Sequence, residues 1–352
     1  MKKTFALLLV LVTAAALLVG CAPKSPATPS ASPSVEPTAP ETSTPATGNP
    51  VKTGLAIVTS IAKSTDAGES EGLAQADSVI VAVTVDADGK ITDCVIDTAQ
   101  SKANFDAAGK ITTPLDTEFK TKNELGDAYG MKKASSIGKE WNEQAAALAD
   151  YVIGKTAAEV KGIAIDEQGY AADSDLKASV TVHVNDYVDA IVKAVENAKD
   201  LGASAGDKLS VGTVTSIAKS TDVTADAAGL IQFYSTYAAI TRDSAGVITS
   251  CIIDASQSNI NFDANGKITT DLTAAPKTKN ELGDAYGMKK ASSIGKEWNE
   301  QAAAFAAYVT GKTPAEVAGI AVSEGYAADG DLKASVTVHI TDFQAVIAKA
   351  AA

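Results

Sequence analysis

Lys120 to Ala147 reads KTKNELGDAYGMKKASSIGKEWNEQAAA, and the same letters return unchanged at Lys277 to Ala304. Around this pair the match continues at nearly the same offset. Thr59 to Asp66, TSIAKSTD, recurs at Thr215 to Asp222, and Asp175 to His183, DLKASVTVH, recurs at Asp331 to His339. The chain is therefore a tandem duplication of a unit of roughly 150 residues, large enough for each copy to bury its own core and far longer than a solenoid repeat. The copies occupy 51–200 and 213–352, joined by a linker at 201–212 rich in Gly, Ala and Ser. The unbroken identity of one internal stretch fits a shared binding surface, and it fits recent duplication or gene conversion equally well.

Within a copy, periodicity gives the coarse structure. Leu55, Ile57, Thr59 and Ile61 alternate, as do Val79, Val81, Val83 and Val85, and Asp88-Gly89 turns the second run into Ile91 to Ile96. A further turn at Ala108-Gly109, matched by Asn265-Gly266, predicts another hairpin closing on Ile111 or Ile268. The period then becomes helical. Trp141, Ala145, Leu148 and Val152 form one stripe that ends at Gly154, and Thr156 with Glu159 makes a capping box for a short second helix. Thr313-Pro314 with Glu316 repeats that box with proline at the first helical position. Ser179 to Val184 alternates like a strand, and Tyr187 to Ala198 closes the copy as an amphipathic helix. Strands first and helices later predict an α+β fold, a tandem repeat of two similar domains, each an antiparallel sheet packed with helices.

Composition narrows the function. Of 352 residues, 45% are hydrophobic and only 5% aromatic, and the net charge is −13. So acidic a chain is not built to bind nucleic acid, whose recognition needs a basic surface. Two His and three Cys are too few for most structural zinc, haem or iron–sulfur sites. Lys2 and Lys3 precede an apolar run, Phe5 to Leu18, too short for an ordinary membrane-spanning helix, and Leu18-Val19-Gly20-Cys21 follows. That tetrapeptide resembles the lipobox of bacterial lipoproteins. The resemblance implies a signal peptide over 1–21, a diacylglyceryl group on Cys21, and attachment of the extracytoplasmic chain to the lipid bilayer of the cell membrane. Residues 22–50 hold eight of the eleven prolines among Ser, Thr and Ala, the composition of an extended stalk.

Few residues carry chemistry. Cys94 and Cys251 take equivalent strand positions, one per copy, so neither finds a disulfide partner in its own domain; buried inert thiols are the simplest reading. His183 and His339 are also equivalent, and on an extended strand Ser179, Thr181 and His183 share one face, either an exposed sheet face or part of a site. Trp141 and Trp298 sit on the core stripe. In the loop Glu124 to Lys133, glycines permit close backbone approach, Tyr129 offers a flat ring, and Lys132-Lys133 offer charge for a phosphate or carboxylate. Its spacing is neither a P-loop nor a dinucleotide fingerprint, and an ordinary surface connection remains an alternative.

The order of these parts resembles the bacterial FMN-binding domain, found in the extracytoplasmic C subunit of sodium-translocating NADH:quinone reductase, the G subunit of the Rnf complex and various surface lipoproteins. Glu124 with Leu125-Gly126-Asp127, and Glu281 with Leu282-Gly283-Asp284, echo the family's Glu-Thr-Pro-Gly-Leu-Gly-Asp loop without its Thr-Pro-Gly. The family's flavin motif, Asp-x-x-Ser/Thr-Gly-Ala-Thr, falls on Asp175 to Thr181 and Asp331 to Thr337, with Asp and the last Thr in agreement. The family joins that Thr to the flavin phosphate. Here Ala178 lacks the hydroxyl, and Ser179 and Val180 add bulk where Gly-Ala would let a phosphate approach, so the resemblance implies FMN held noncovalently. The implied cofactor-binding residues are Tyr129, Lys132, Asp175, Ser179, Thr181 and His183 in one copy, and Tyr286, Lys289, Asp331, Ser335, Thr337 and His339 in the other. The expectation is a lipoprotein flavin-binding or electron-carrying module with a redox protein partner and no complete catalytic apparatus. Its rival is a nonredox structural or adhesive lipoprotein that kept the fold and lost the cofactor. A bilobed solute receptor is a third class, disfavoured because the strand-helix alternation of parallel lobes is missing.

Overall fold

A computed structural model of the protein describes residues 48–328 and 330–352. The expected signal segment with Cys21, and the stalk before Gly48, lie outside the described residues. In the first copy, β1 (Pro50–Ser60), β2 (Gly72–Val85) and β3 (Ile91–Phe105) form an antiparallel meander, with Ala56 opposite Val81 and Ile80 opposite Asp97. Asp86 Oδ1 fixes the β2–β3 turn by accepting the N–H groups of Asp88 and Lys90. Five helices follow: α1 (Lys122–Leu125), α2 (Trp141–Val152), α3 (Ala157–Lys161), α4 (Ser174–Lys177) and α5 (Asn185–Glu196). Strand β4 (Lys199–Ser204) returns to pair with β1, giving the order β3-β2-β1-β4. The second copy repeats the plan as β5 (Lys208–Ser216), β6 (Gly229–Arg242), β7 (Ile248–Phe262), α6 (Lys279–Leu282), α7 (Trp298–Val309), α8 (Pro314–Ala318), a two-residue hairpin β8 (Val322–Ser323) and β9 (Tyr326–Ala327), α9 (Gly330–Lys333) and α10 (Thr341–Ala351). The fold is α+β, and the duplication read in the sequence is visible in it.

Each copy packs its helices onto one sheet face. Val81, Val83, Val85 and Ile96 meet Trp141, Leu148, Val152, Val188 and Ile191, the stripes expected of α2 and α5. α5 lies so close to β1 that a Cβ on Gly54 would collide with the carbonyl of Ala194. The capping boxes at Thr156/Glu159 and Thr313/Glu316 form as their spacing predicts.

The opposite sheet faces meet each other. Leu55, Ile57, Ile80 and Ala82 pack with Leu209, Tyr237 and Ala239, and at one end Phe105 stacks on Phe262 with ring centroids 4.2 Å apart. The layers therefore run helices, sheet, sheet, helices, and both copies belong to one compact unit. Reciprocal bonds make the seam two-fold in character. Asp222 Oδ1 accepts the Ile111 N–H at 2.8 Å, and Asp66 Oδ1 accepts that of Ile268 at 2.7 Å. Gly109 and Gly266, both at positive φ, form hairpin turns that dock on the other copy, where any side chain would strike Val223 or Ala67. Lys193 pairs with Glu281, and Lys349 with Glu124.

Two expectations need correction. Ser179 to Val184 is not a strand: Asp173 caps α4 by accepting the N–H groups of Asp175 and Leu176, and the chain beyond it is irregular apart from one bridge between Tyr170 and His183. The alternation arises because Val180 and Val184 are pegs in the core, in a segment that makes no strand pairing beyond that bridge. The Gly-, Ala- and Ser-rich junction at 201–212 is likewise no loose linker, since it supplies most of β4 and the start of β5.

Candidate functional site

The repeated segment folds identically in the two copies. Thr121 caps α1, with Glu124 returning its carboxylate to the Thr121 N–H, and Gly126 to Tyr129 follow as a 3-10 turn closed by Gly130 in the left-handed region. The next strand of loop is held by Glu140, a buried residue at the entry to α2. Its two oxygens accept the N–H groups of Met131 and Lys132, both at 2.8 Å. Glu297 does the same for Met288 and Lys289. Lys132 and Lys289 thus enter this network through backbone N–H groups.

One buried amide joins the loop to the segment of the flavin-like motif. Gln144, fully buried in α2, donates from Nε2 to Ser135 Oγ at 3.1 Å and the Lys139 carbonyl at 3.2 Å. Its Oε1 accepts from the Thr181 N–H at 2.7 Å and from Thr181 Oγ1 at 3.1 Å. Gln301 makes the same four bonds with Ser292, Lys296 and Thr337. Thr181 and Thr337 are therefore held against the loop through Gln144 and Gln301. The other expected residues spread around this point. Ser179 Oγ and Ser335 Oγ donate to the carbonyls of Leu176 and Leu332. Asp175 lies in the first turn of α4, where its N–H meets the Asp173 cap, and Asp331 takes the same place in α9. His183 and His339 stand edge-on to Tyr170 and Tyr326, at 4.3 and 4.2 Å between centroids, on the turn that the Tyr–His bridge closes.

The rings of Tyr129 and Tyr286 already have a cation against them. Lys122 Nζ lies 4.8 Å from the Tyr129 centroid and 5.0 Å from Trp141. In the second copy Tyr234, where the first copy has Asp77, completes a cage: Lys279 Nζ is within 4.7 Å of the Tyr234, Tyr286 and Trp298 centroids and donates to the Tyr234 hydroxyl at 2.8 Å. Burial, with Lys219 nearby, pushes the Lys279 ammonium down to about 8. The Cys94 and Cys251 thiols are buried and free, and burial pushes Cys251 up to about 12, which suits packing rather than nucleophilic chemistry. Among the described residues no group of three or more His, Cys, Asp or Glu is placed to hold a metal ion.

Sequence reasoning missed Glu140, Gln144 and the aspartates under the short helices. Asp97 Oδ1 accepts from the N–H groups of Asn123 and Thr98, and Asp254 Oδ1 from those of Asn280 and Ala255. Burial pushes both carboxyls up to about 6 against these stabilising bonds. Between about pH 4 and pH 6 the folded chain keeps a proton that the unfolded chain has released, so each aspartate favours folding at pH 4 and loses that contribution as pH rises through 6. Asp254→Asn keeps the accepting oxygen and removes the titration. Urea unfolding of wild type should lose roughly 2 kcal/mol relative to Asp254→Asn on going from pH 4 to pH 7.5. Parallel pH profiles for the two proteins would show that Asp254 ionises normally.

By fold and site the protein is a duplicated α+β module whose loop and threonine segments converge once per copy. No family model matches the chain, and no solved structure matches it. Over 43 residues it is 54% identical to the chlorophenol reductase of Desulfitobacterium hafniense, a stretch covering 12% of this chain and 13% of that protein.

Proposed function

We propose that this chain is a lipid-anchored extracytoplasmic module that takes up FMN noncovalently in its two FMN-binding-like domains and carries electrons to a redox protein partner. The observation that carries this reading is the convergence, in both copies and through the same bonds, of the loop and the threonine segment that the resemblance assigns to the flavin. The short likeness to a protein named for reduction chemistry points the same way. The residues fit a noncovalent guest better than a covalent one, because the Thr181 and Thr337 hydroxyls each donate to a buried glutamine amide. When bound, the isoalloxazine supplies the redox chemistry, and the protein supplies orientation and electrostatics. The lipid on Cys21 would hold the module at the membrane, with residues 22–50 as spacer.

A second reading, the nonredox scaffold, is favoured by that same glutamine brace, which gives each threonine a purely structural task. Native mass spectrometry of the protein purified from its own membrane separates the two. Noncovalent FMN appears as an added mass that is lost on denaturation, and added FMN raises the melting temperature of the stripped protein. A colourless protein with no added mass and no melting shift would leave the scaffold reading standing alone.

A further inference from the structure

Each repeated loop begins at a short helix that makes contacts in two directions. Lys122 and Glu124 both belong to α1, and Lys279 and Glu281 hold the same places in α6. The lysine faces its own site. Lys122 Nζ lies 4.8 Å from the Tyr129 centroid and 5.0 Å from Trp141, and Lys279 Nζ lies 4.6 Å from Tyr286 and 4.7 Å from Trp298. The glutamate serves both copies. Its Oε2 completes the capping box of its own helix, accepting the Thr121 or Thr278 N–H at 2.7 Å, while its Oε1 takes a lysine of the other copy. Lys349 of α10 reaches Glu124 at 2.7 Å, and Lys193 of α5 reaches Glu281.

Those two lysines stand on helices that also touch the sites of their own copies. Near its start α5 carries Tyr187, whose hydroxyl accepts from Trp141 Nε1 at 3.1 Å. In the same place α10 carries Phe343, whose ring meets Trp298 at 5.7 Å between centroids. Lys193 and Lys349 follow six residues later in their helices, about 9 Å along a stiff rod. Each terminal helix therefore runs from the tryptophan of its own site to the short helix of the other site, and the arrangement is reciprocal. Lys193 also donates to the Ile57 carbonyl at 3.1 Å, which ties that end of α5 to β1.

We propose that the two candidate sites are coupled across the seam, with α1 and α6 passing the occupancy of each loop to the last helix of the other copy. As a statement about ligand sites this rests on the function proposed above; the linkage of the two loops does not. A guest on the Tyr129 ring competes with Lys122, so its entry displaces α1 and weakens the hold of Glu124 on Lys349. Released at that end, α10 presses Phe343 less firmly on Trp298, and entry to the second site becomes easier. The coupling is positive and equal in both directions, as linkage requires. It is no larger than about fivefold, because both ion pairs are roughly one-third exposed to solvent.

Trp141 and Trp298 are the chain's two tryptophans, one per site, so 5-fluorotryptophan labelling gives one fluorine resonance for each. The labelled protein is the chain from residue 21 onward carrying Cys21→Ser, and Tyr187→Phe identifies the Trp141 signal. Lys349→Met, a change in the second copy, should move Trp141 of the first copy more than Trp298, and Lys193→Met should do the opposite. Lys349→Arg should leave Trp141 in place. Glu124→Gln, which keeps an acceptor for the Thr121 N–H, should reproduce the shift of Lys349→Met, and the double variant should add nothing to it. Melting curves report that each variant folds. Shifts confined to the tryptophan of the substituted copy, or no shift in a folded variant, would overturn the proposal. FMN added to the wild type should bind the second site up to about fivefold more tightly than the first once the statistical factor is removed, a gain lost in Lys193→Met/Lys349→Met. Two independent, equal sites would overturn the coupling. FMN that moves neither resonance would remove the flavin reading, while the crossed shifts still decide whether the loops are linked.

Discussion

Replacing Gln144 by alanine is expected to cost about 3 to 5 kcal/mol of unfolding free energy, out of proportion to the few atoms removed. The amide is fully buried and uses both of its ends, donating to Ser135 and the Lys139 carbonyl while accepting from the Thr181 backbone and hydroxyl. Truncation leaves the Thr181 N–H and the Lys139 carbonyl without partners, and a buried polar group so abandoned costs roughly 1 to 3 kcal/mol. A cavity under α2 adds to this. Gln144→Glu is no rescue, because it turns two donors into a buried carboxylate facing the Lys139 carbonyl. Gln301→Ala should match Gln144→Ala closely, since its four bonds agree with those of Gln144 to within 0.1 Å. Urea titration followed by circular dichroism measures both. A cost below about 1 kcal/mol for either variant would mean that water replaces the amide and that the brace is incidental.

The same residue shows what the sequence made legible and what it hid. Trp141, Ala145, Leu148 and Val152 announced the helix by spacing, and all four are buried as that spacing requires. Gln144 lies on the same stripe, three residues after Trp141 and four before Leu148. A polar side chain inside an apolar stripe must find partners, and that was the available signal. The partners could not be named, because they sit on a loop and on a segment 37 residues away that alternation disguised as a strand. The seam was hidden in a related way. Val79 to Val83 is an unbroken apolar run, the mark of a strand covered on both faces, whereas only its alternate valines were read. Its second face is covered by the other copy, which no local pattern can identify. Residues 201–212 looked like a linker because Gly, Ala and Ser carry little strand preference, yet β1 offered an edge and β4 took it.

That hidden seam leads to the second large effect. Phe105→Ala and Phe262→Ala should each cost about 3 to 5 kcal/mol, the range for a buried phenylalanine whose space cannot collapse. Both rings are fully buried and stacked on each other at a 20° interplanar angle. Each also lies against a glycine of its neighbouring strand, Gly72 under Phe105 and Gly229 under Phe262, where a Cβ would collide with the ring. The double variant should cost less than the sum by about 0.5 to 1.5 kcal/mol, because the stacking contact can be lost only once. The more telling readout is the shape of the transition. If each copy were a separate bead, calorimetry of Phe105→Ala would show one half melting early and the other where it did before. Since the ring belongs to a core built equally from Ile61, Ala103, Ile217 and Ile260, its loss should lower a single transition for the whole unit. Two resolved transitions, one of them unmoved, would mean that the sheets fold independently and that the reciprocal Asp66 and Asp222 bonds join finished domains. A single lowered transition would mean that the duplicated chain folds as one cooperative body.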